Sequence, residues 1–164
     1  MAAGATLMSC LTPVLFVFLA SVVRAAAPVC RATQILASSN GSDGAMGSQY
    51  AQAVFANTSA VACQLDIHDF HFERLDSGGH HLPIKVRVGM DLNAYGAGVP
   101  VIVLNPKQSM ALSIRTANRT GYDESRHCAT RVQITMFKRR LVDIKTISCD
   151  QNVDSTGFYP VEPR

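Results

Sequence analysis

The chain has 164 residues, 48% of them hydrophobic, with 15 Lys and Arg against 12 Asp and Glu, five His, five Cys and no Trp. That length allows one domain plus a leader. A net charge of +3 without a basic stripe leaves no electrostatic footprint for nucleic acid.

Residues 1–25 read as a secretory signal peptide. An apolar run over residues 11–23 leads into Val23-Arg24-Ala25, in which Val23 and Ala25 stand where a signal peptidase needs small residues. The run is too short to span a bilayer, which takes about 20 apolar residues. Its flank before residue 11 carries no Lys or Arg. The sequence therefore predicts a secreted, periplasmic or envelope protein with no membrane span after cleavage. Residues 26–150 form its domain and 151–164 an irregular, proline-containing tail.

Four cysteines follow the leader: Cys30, Cys63, Cys128 and Cys149. An even number in an exported chain implies two disulfides. Their wide spacing does not suit paired Cys-x-x-Cys zinc ligation.

Along the domain the pattern is one of short strands. Residues 32–38 suggest a first strand and residues 40–47, with three Gly and an Asn-Gly pair, a turn. Residues 49–56 return as the second strand, and Asn57-Thr58-Ser59 turns the chain. In residues 62–75 the apolar parity changes from Cys63, Leu65 and Ile67 to Phe70 and Phe72. A period of two cannot change face without a bend, which is expected near His68-Asp69.

Residues 82–90 alternate as one half-buried strand, with Ile84, Val86, Val88 and Met90 inward. An apolar run over residues 99–104 ends at Asn105-Pro106, and Met110, Leu112 and Ile114 mark a further strand. A polar loop is expected over residues 118–127. The closing hairpin is expected to set Val132, Ile134 and Met136 opposite Thr146, Ile144 and Val142 around a Lys138-Arg139-Arg140 turn. Seven to nine strands with Gly, Asn and Pro turns predict an all-β, immunoglobulin-like antiparallel sandwich.

Three disulfide connectivities are open to four cysteines. Cys30 begins the first strand and Cys63 follows the second, while Cys128 and Cys149 flank the open end of the last hairpin. Joining neighbours, Cys30 with Cys63 and Cys128 with Cys149, meets the reach limit with least distortion. Cys128 and Cys149 have opposite parity in the expected register, so this pairing requires a bulge before them. The rival, Cys63–Cys128 with Cys30–Cys149, would tie the two sheets together.

The order of motifs resembles a known family. Cys30 is followed by a strand ending in Phe55-Ala56-Asn57-Thr58-Ser59, then Cys63-Gln64-Leu65, Leu104-Asn105-Pro106 and a late Cys128 before a hairpin. Over residues 30–149 this is similar to the uncharacterised secreted bacterial domain of unknown function four-two-three-two. The chain departs from it at Asp66-Ile67-His68-Asp69, where the family has Gly-x-Pro, and at Pro106-Lys107, where it has Pro-Gly. The resemblance implies an immunoglobulin-like sandwich and export; it brings no activity.

Chemistry-bearing residues are sparse. His68, His71, His80 and His81 lie among Asp66, Asp69, Glu73 and Asp76, residue types that bind copper or zinc. On an extended strand His68 and His71 face opposite sides, so solvated loop and edge histidines are the plainer account. No Gly-x-Ser-x-Gly elbow occurs, and disulfide bonding leaves the domain no thiol nucleophile. Tyr50, Tyr95, Tyr122 and Tyr159 lie mostly in or near loops, where sugar stacking is conceivable but partial burial commoner. Lys138-Arg139-Arg140 is a basic turn tip, by default a solvated hairpin end, with an acidic partner as the alternative reading. Three Asn-x-Ser/Thr sequons begin at Asn40, Asn57 and Asn118; in a eukaryotic chain they are candidate glycan sites on loops, and in a bacterial chain, the favoured reading, incidental turn residues. The sequence thus predicts a non-catalytic binding module with no cofactor and a protein or small-ligand partner. The alternative is a copper- or zinc-binding protein using His68, His71, His80 and His81.

Overall fold

The computed structural model describes residues 26–45, 47–92, 97–117 and 128–161. The expected leader and the loop over residues 118–127 lie outside them. The described residues form an all-β sandwich with two disulfides, Cys30–Cys63 and Cys128–Cys149.

The first hairpin pairs β1 (Ile35–Ala45) with β2 (Ser48–Asn57). The expected turn over residues 40–47 is largely strand. A register shift between Asn40 and Asp43 absorbs the Gly-rich stretch as a bulge, so pairing runs on to Ala45 and Ser48. A short 3-10 turn, Ala32–Gln34, occupies the start of the expected first strand.

At the end of β2 the buried carboxamide of Asn57 makes four hydrogen bonds. Its Oδ1 accepts from the Ser59 backbone N–H (2.9 Å) and hydroxyl (2.8 Å). Its Nδ2 donates to the carbonyls of Val61 (2.8 Å) and Leu104 (2.9 Å). The Asn57 backbone N–H donates to Gln108 and its carbonyl accepts from Lys107. One residue therefore joins the first hairpin to the next strand and to a distant turn.

β3 (Cys63–Asp66) pairs with β7 (Val101–Leu104), setting Cys63 opposite Leu104. The parity change resolves as a 3-10 turn, Ile67–Asp69, capped by Asp66, whose Oδ1 accepts from the His68 N–H (2.9 Å). The chain thereby leaves β3 for β4 (Phe70–Leu75) in another sheet.

The strand expected over residues 82–90 is two short ones. β5 (His81–Leu82) pairs with β4, and β6 (Lys85–Arg87) pairs parallel with β11 (Asn152–Ser155). Pro83 separates them; it has no N–H for a ladder, and the chain changes sheets there. Val86, expected inward, is exposed. Buried Arg74 holds this crossing, donating to the Pro83 and Ser148 carbonyls (both 2.5 Å).

β8 (Ser109–Ala117) is central, lying between β2 and β11, and Met110 through Ile114 are all buried. The closing hairpin joins β9 (Ala129–Met136) to β10 (Arg139–Ser148). Its register is displaced from the expected one: Val132 faces Ile144, Ile134 faces Val142, and Met136 faces Arg139. The turn is Phe137-Lys138, both at positive φ (49° and 64°), the two-residue mirror-image turn that matches strand twist. A second register shift, between Lys145 and Ser148, sets Ser148 opposite Ala129 and supplies the bulge that brings Cys128 level with Cys149.

One sheet has the order β1-β2-β8-β11-β6, with β12 (Tyr159–Pro160) on β8; another is β10-β9-β4-β5, and β3-β7 forms a third. The described residues thus hold twelve strands with one parallel pairing, more than the seven to nine antiparallel strands expected. Residues expected to be an irregular tail complete the core instead. Val153 is fully buried, and Phe158 packs edge-on to Phe55 (6.2 Å) and Phe70 (5.7 Å), which stack at 4.9 Å. Gly157 permits this: a Cβ there would lie 2.5 Å from the Val99 carbonyl oxygen.

Asn57→Ala strips four partners at once, two of them carbonyls at a buried joint. The expected loss is roughly 2–4 kcal/mol, read as a lower urea midpoint. Lys107 tests the opposite direction. It follows Pro106 at φ 63°, with Gln108 N–H donating to the Asn105 carbonyl (3.0 Å). This is a type II turn in which Gly is the unstrained choice. Lys107→Gly is expected to stabilise by about 0.5–1 kcal/mol, seen as a raised Tm; a fall in Tm would contradict the strain.

Candidate functional site

The outward face of the four-stranded sheet carries the strongest convergence of polar side chains. The period of two sends Phe70 and Phe72 inward and His71 and Glu73 outward. β9 sets Thr135 beside His71 and Gln133 beside Glu73. β10 adds Arg140 beside Thr135 and Asp143 beside Gln133, and β5 adds His81 beside Leu75. His71, Glu73, His81, Gln133, Thr135, Lys138 and Arg140 line one solvent-open concavity of about 490 Å³.

Within it, Glu73 Oε1 lies 3.9 Å from His71 Nε2 and 4.0 Å from His81 Nδ1. The two imidazoles are 75% and 70% exposed, whereas the Glu73 side chain is 26% exposed. Arg140 Nη2 contacts Asp143 Oδ2 at 2.5 Å, which tethers one cation at the rim. Thr135 Oγ1 donates to the His71 carbonyl (3.5 Å). The wall is of mixed charge on a floor of neutral hydrogen-bonding groups, suited to a polar or charged ligand.

The four histidines singled out in the sequence are not brought together. His71 and His81 share Glu73. His80 turns to Asp76, whose Oδ1 accepts from the His80 N–H (2.8 Å) and whose Oδ2 lies 3.0 Å from Nδ1. Hydrogen bonds from the His80 backbone and then its ring hold the Asp76 carboxyl below its ordinary pKa. His68 is exposed on the 3-10 turn. Among the described residues, no three His, Cys, Asp or Glu side chains are placed to hold a metal ion as they stand. Nothing in the sequence joins Gln133, Thr135, Lys138 and Arg140 to the histidines as one site. Their trace in the sequence is the polar parity of residues 131, 133 and 135.

A second polar cluster lies on the six-stranded sheet. Asp154, 5% exposed, stands between Arg87 and Arg115 on adjacent strands. Arg87 binds both of its oxygens (2.6 and 3.0 Å), and Arg115 donates to Oδ2 through Nε (3.0 Å) and Nη2. Burial pushes the Asp154 carboxyl up, but the two guanidinium groups outweigh it and hold its pKa below the ordinary value. Nearby, Tyr159 joins Gln52 (2.9 Å) and Ser113 (2.6 Å), and Asn40 Nδ2 donates to Gln52 Oε1 (2.7 Å). Tyr95, Tyr122 and Asn118 lie outside the described residues. The Asn57 sequon is buried and committed to hydrogen bonds, whereas Asn40 is exposed.

Family models, curated proteins and solved structures offer no match to this chain. No described helix is long and apolar enough to cross a membrane.

The Asp154 clamp has a defined pH signature. Because the folded carboxyl has the lowered pKa, its contribution is fully present above about pH 4. It is lost as pH falls through the folded value. Asp154→Asn is expected to be less stable at pH 7 and to lose less further stability on acidification. Urea unfolding of both forms between pH 7 and pH 2 checks this; parallel curves would show that the clamp contributes nothing.

Proposed function

We propose that the chain is an exported, non-catalytic binding module with an immunoglobulin-like sandwich, of the kind the resemblance to domain of unknown function four-two-three-two implies. The outer face of the four-stranded sheet is its ligand surface. The observation that carries this reading is the convergence of seven polar and charged side chains from β4, β5, β9–β10 and their turn onto one concavity. Ligand sites are concave, with a few convergent polar groups on rigid elements. Two disulfides support export, since such bonds persist in oxidising compartments. The motifs of the resemblance also adjoin in space, for Asn57 binds the Leu104 carbonyl and Cys63 pairs with Leu104.

The test is an amide NMR titration of the wild-type protein with phosphate, sulfate, citrate, Zn²⁺ and sulfated or neutral disaccharides. Saturable shifts are expected at His71, Glu73, His81, Gln133 and Thr135 for at least one probe, with the probe recovered unchanged. Shifts confined to the six-stranded sheet, conversion of a probe, or no saturable shift with any probe would each count against the reading.

A further inference from the structure

We propose that the concavity binds an anionic group, sulfate or phosphate, and that protonation of His71 and His81 switches this binding on as pH falls. This rests on the concavity being the ligand surface and names the ligand class and the control of that same site. The starting point is the order of charge across the four-stranded sheet. His71 lies beside Thr135 and then Arg140, while two residues on, Glu73 lies beside Gln133 and then Asp143. Two residues further, Leu75 stands between His81 and Arg131, with Lys145 beyond. A row of carboxylates therefore runs between two rows whose charged side chains are all basic.

Height above the sheet decides which sign a ligand meets. The His71, His81 and Arg140 side chains are 75%, 70% and 62% exposed, and Lys138 is exposed at the turn. Glu73 and Asp143 are recessed, at 26% and 19%, and Arg140 covers Asp143. While the histidines are neutral, Lys138 and Arg140 balance Glu73 and Asp143. Imidazole is the side chain that gains its charge between about pH 8 and pH 5. His71 and His81 stand on opposite sides of Glu73, 3.9 and 4.0 Å from the same oxygen. One carboxylate cannot answer two imidazolium groups, so protonation turns a balanced lining into a basic one.

The remaining charges nearby do not restore the balance. Asp76 is engaged by His80. His68 and Asp69 lie on the 3-10 turn before β4 and do not line the concavity. Arg131 and Lys145, in the row of His81, add further positive charge. Gln133 on the floor supplies an amide donor for an anion's oxygens.

The experiment is an amide NMR titration of the purified protein with sodium sulfate at about pH 8 and about pH 5.5. Ionic strength is held constant with sodium chloride, because exposed charges are screened by salt. Sulfate keeps its double charge across this range, so a change in affinity reports the protein. Binding is expected to be at least roughly tenfold tighter at the lower pH, with shifts at Gln133 and Thr135. The double variant His71→Gln/His81→Gln should lose the gain, whereas His68→Gln/His80→Gln keeps it. Glu73→Gln should bind more tightly than wild type at both pH values, and Lys138→Ala more weakly. The amide spectra themselves establish that each variant is folded. A sulfated disaccharide that binds more tightly than sulfate identifies a glycan as the source of the group, and equal affinity a free anion; either supports the site. Affinity unchanged by pH, a gain that survives in His71→Gln/His81→Gln, or no saturable binding of sulfate would overturn the proposal. If Zn²⁺ or a neutral disaccharide still shifts Gln133 and Thr135 in that event, only the anion switch falls; if nothing shifts them, the ligand surface falls with it.

Discussion

The joint at Asn57 is the constraint on which the arrangement of strands depends. A carboxamide has two donor hydrogens and an acceptor oxygen, and here all of them are engaged inside the protein. Two of the bonds close the local turn at Ser59, while the other two reach Val61 and Leu104. No other side chain of this size offers both donors and an acceptor at these positions. Aspartate would set a carboxylate against two carbonyl oxygens, and serine is too short to reach them. The joint also fixes the relation between disulfide and turn. Cys63 begins the strand that Asn57 launches and faces Leu104, the residue whose carbonyl Asn57 holds. The Cys30 bridge therefore closes onto a position already set by hydrogen bonds.

Much of this was legible in the sequence, because short-range chemistry decided it. The Asn57 turn, the parity change near His68 and the strands around Leu112 and Ile134 all follow from spacing. The closing hairpin shows where such reading stops. The alternation of Val132, Ile134 and Met136 specifies the buried face, and a displacement by two residues leaves that face unchanged. Only the turn chooses between the two registers. Phe137-Lys138 at positive φ does not announce itself as Asn-Gly would, so a three-residue basic turn was the natural expectation. The opposite parity of Cys128 and Cys149 was the better clue, since it required a bulge, and the shift between Lys145 and Ser148 is one.

The final segment departs from the irregular tail that its sequence suggests, and the reason is physical. Residues 152–155 alternate poorly because β11 lies between β8 and β6 with consecutive residues, and so both faces, buried. Asp154 is buried against two arginines that lie far away in sequence, so its polarity signalled solvent when its partners made it interior. Likewise, Gly157 serves close approach to Val99. The candidate site was half legible for a similar reason. The histidines are near one another in sequence and drew notice, whereas Gln133, Thr135, Lys138 and Arg140 join them only through the pairing of β4 with β9. Proximity in the chain also suggests a set of four histidines, from which the fold turns His80 toward Asp76.

The two outer faces differ in a way that bears on which one meets a ligand. On the six-stranded sheet, charge is answered from within. Asp154 is matched by Arg87 and Arg115, and the hydroxyls and amides of Ser113, Tyr159, Gln52 and Asn40 form a connected chain. Bringing a ligand there would mean breaking charge-assisted bonds that support the fold, at a cost of about 1.5–3 kcal/mol each. On the four-stranded sheet, His71 and His81 stand about 4 Å from their carboxylate, beyond hydrogen-bond distance. They are largely exposed above a surface whose inward side is locked by Phe70, Phe72, Ile134 and Ile144. Rigid backbone beneath loosely engaged polar groups lets a ligand gain bonds without first breaking the fold's own. That asymmetry is the physical support for the proposal that the β4–β9 face is the ligand surface.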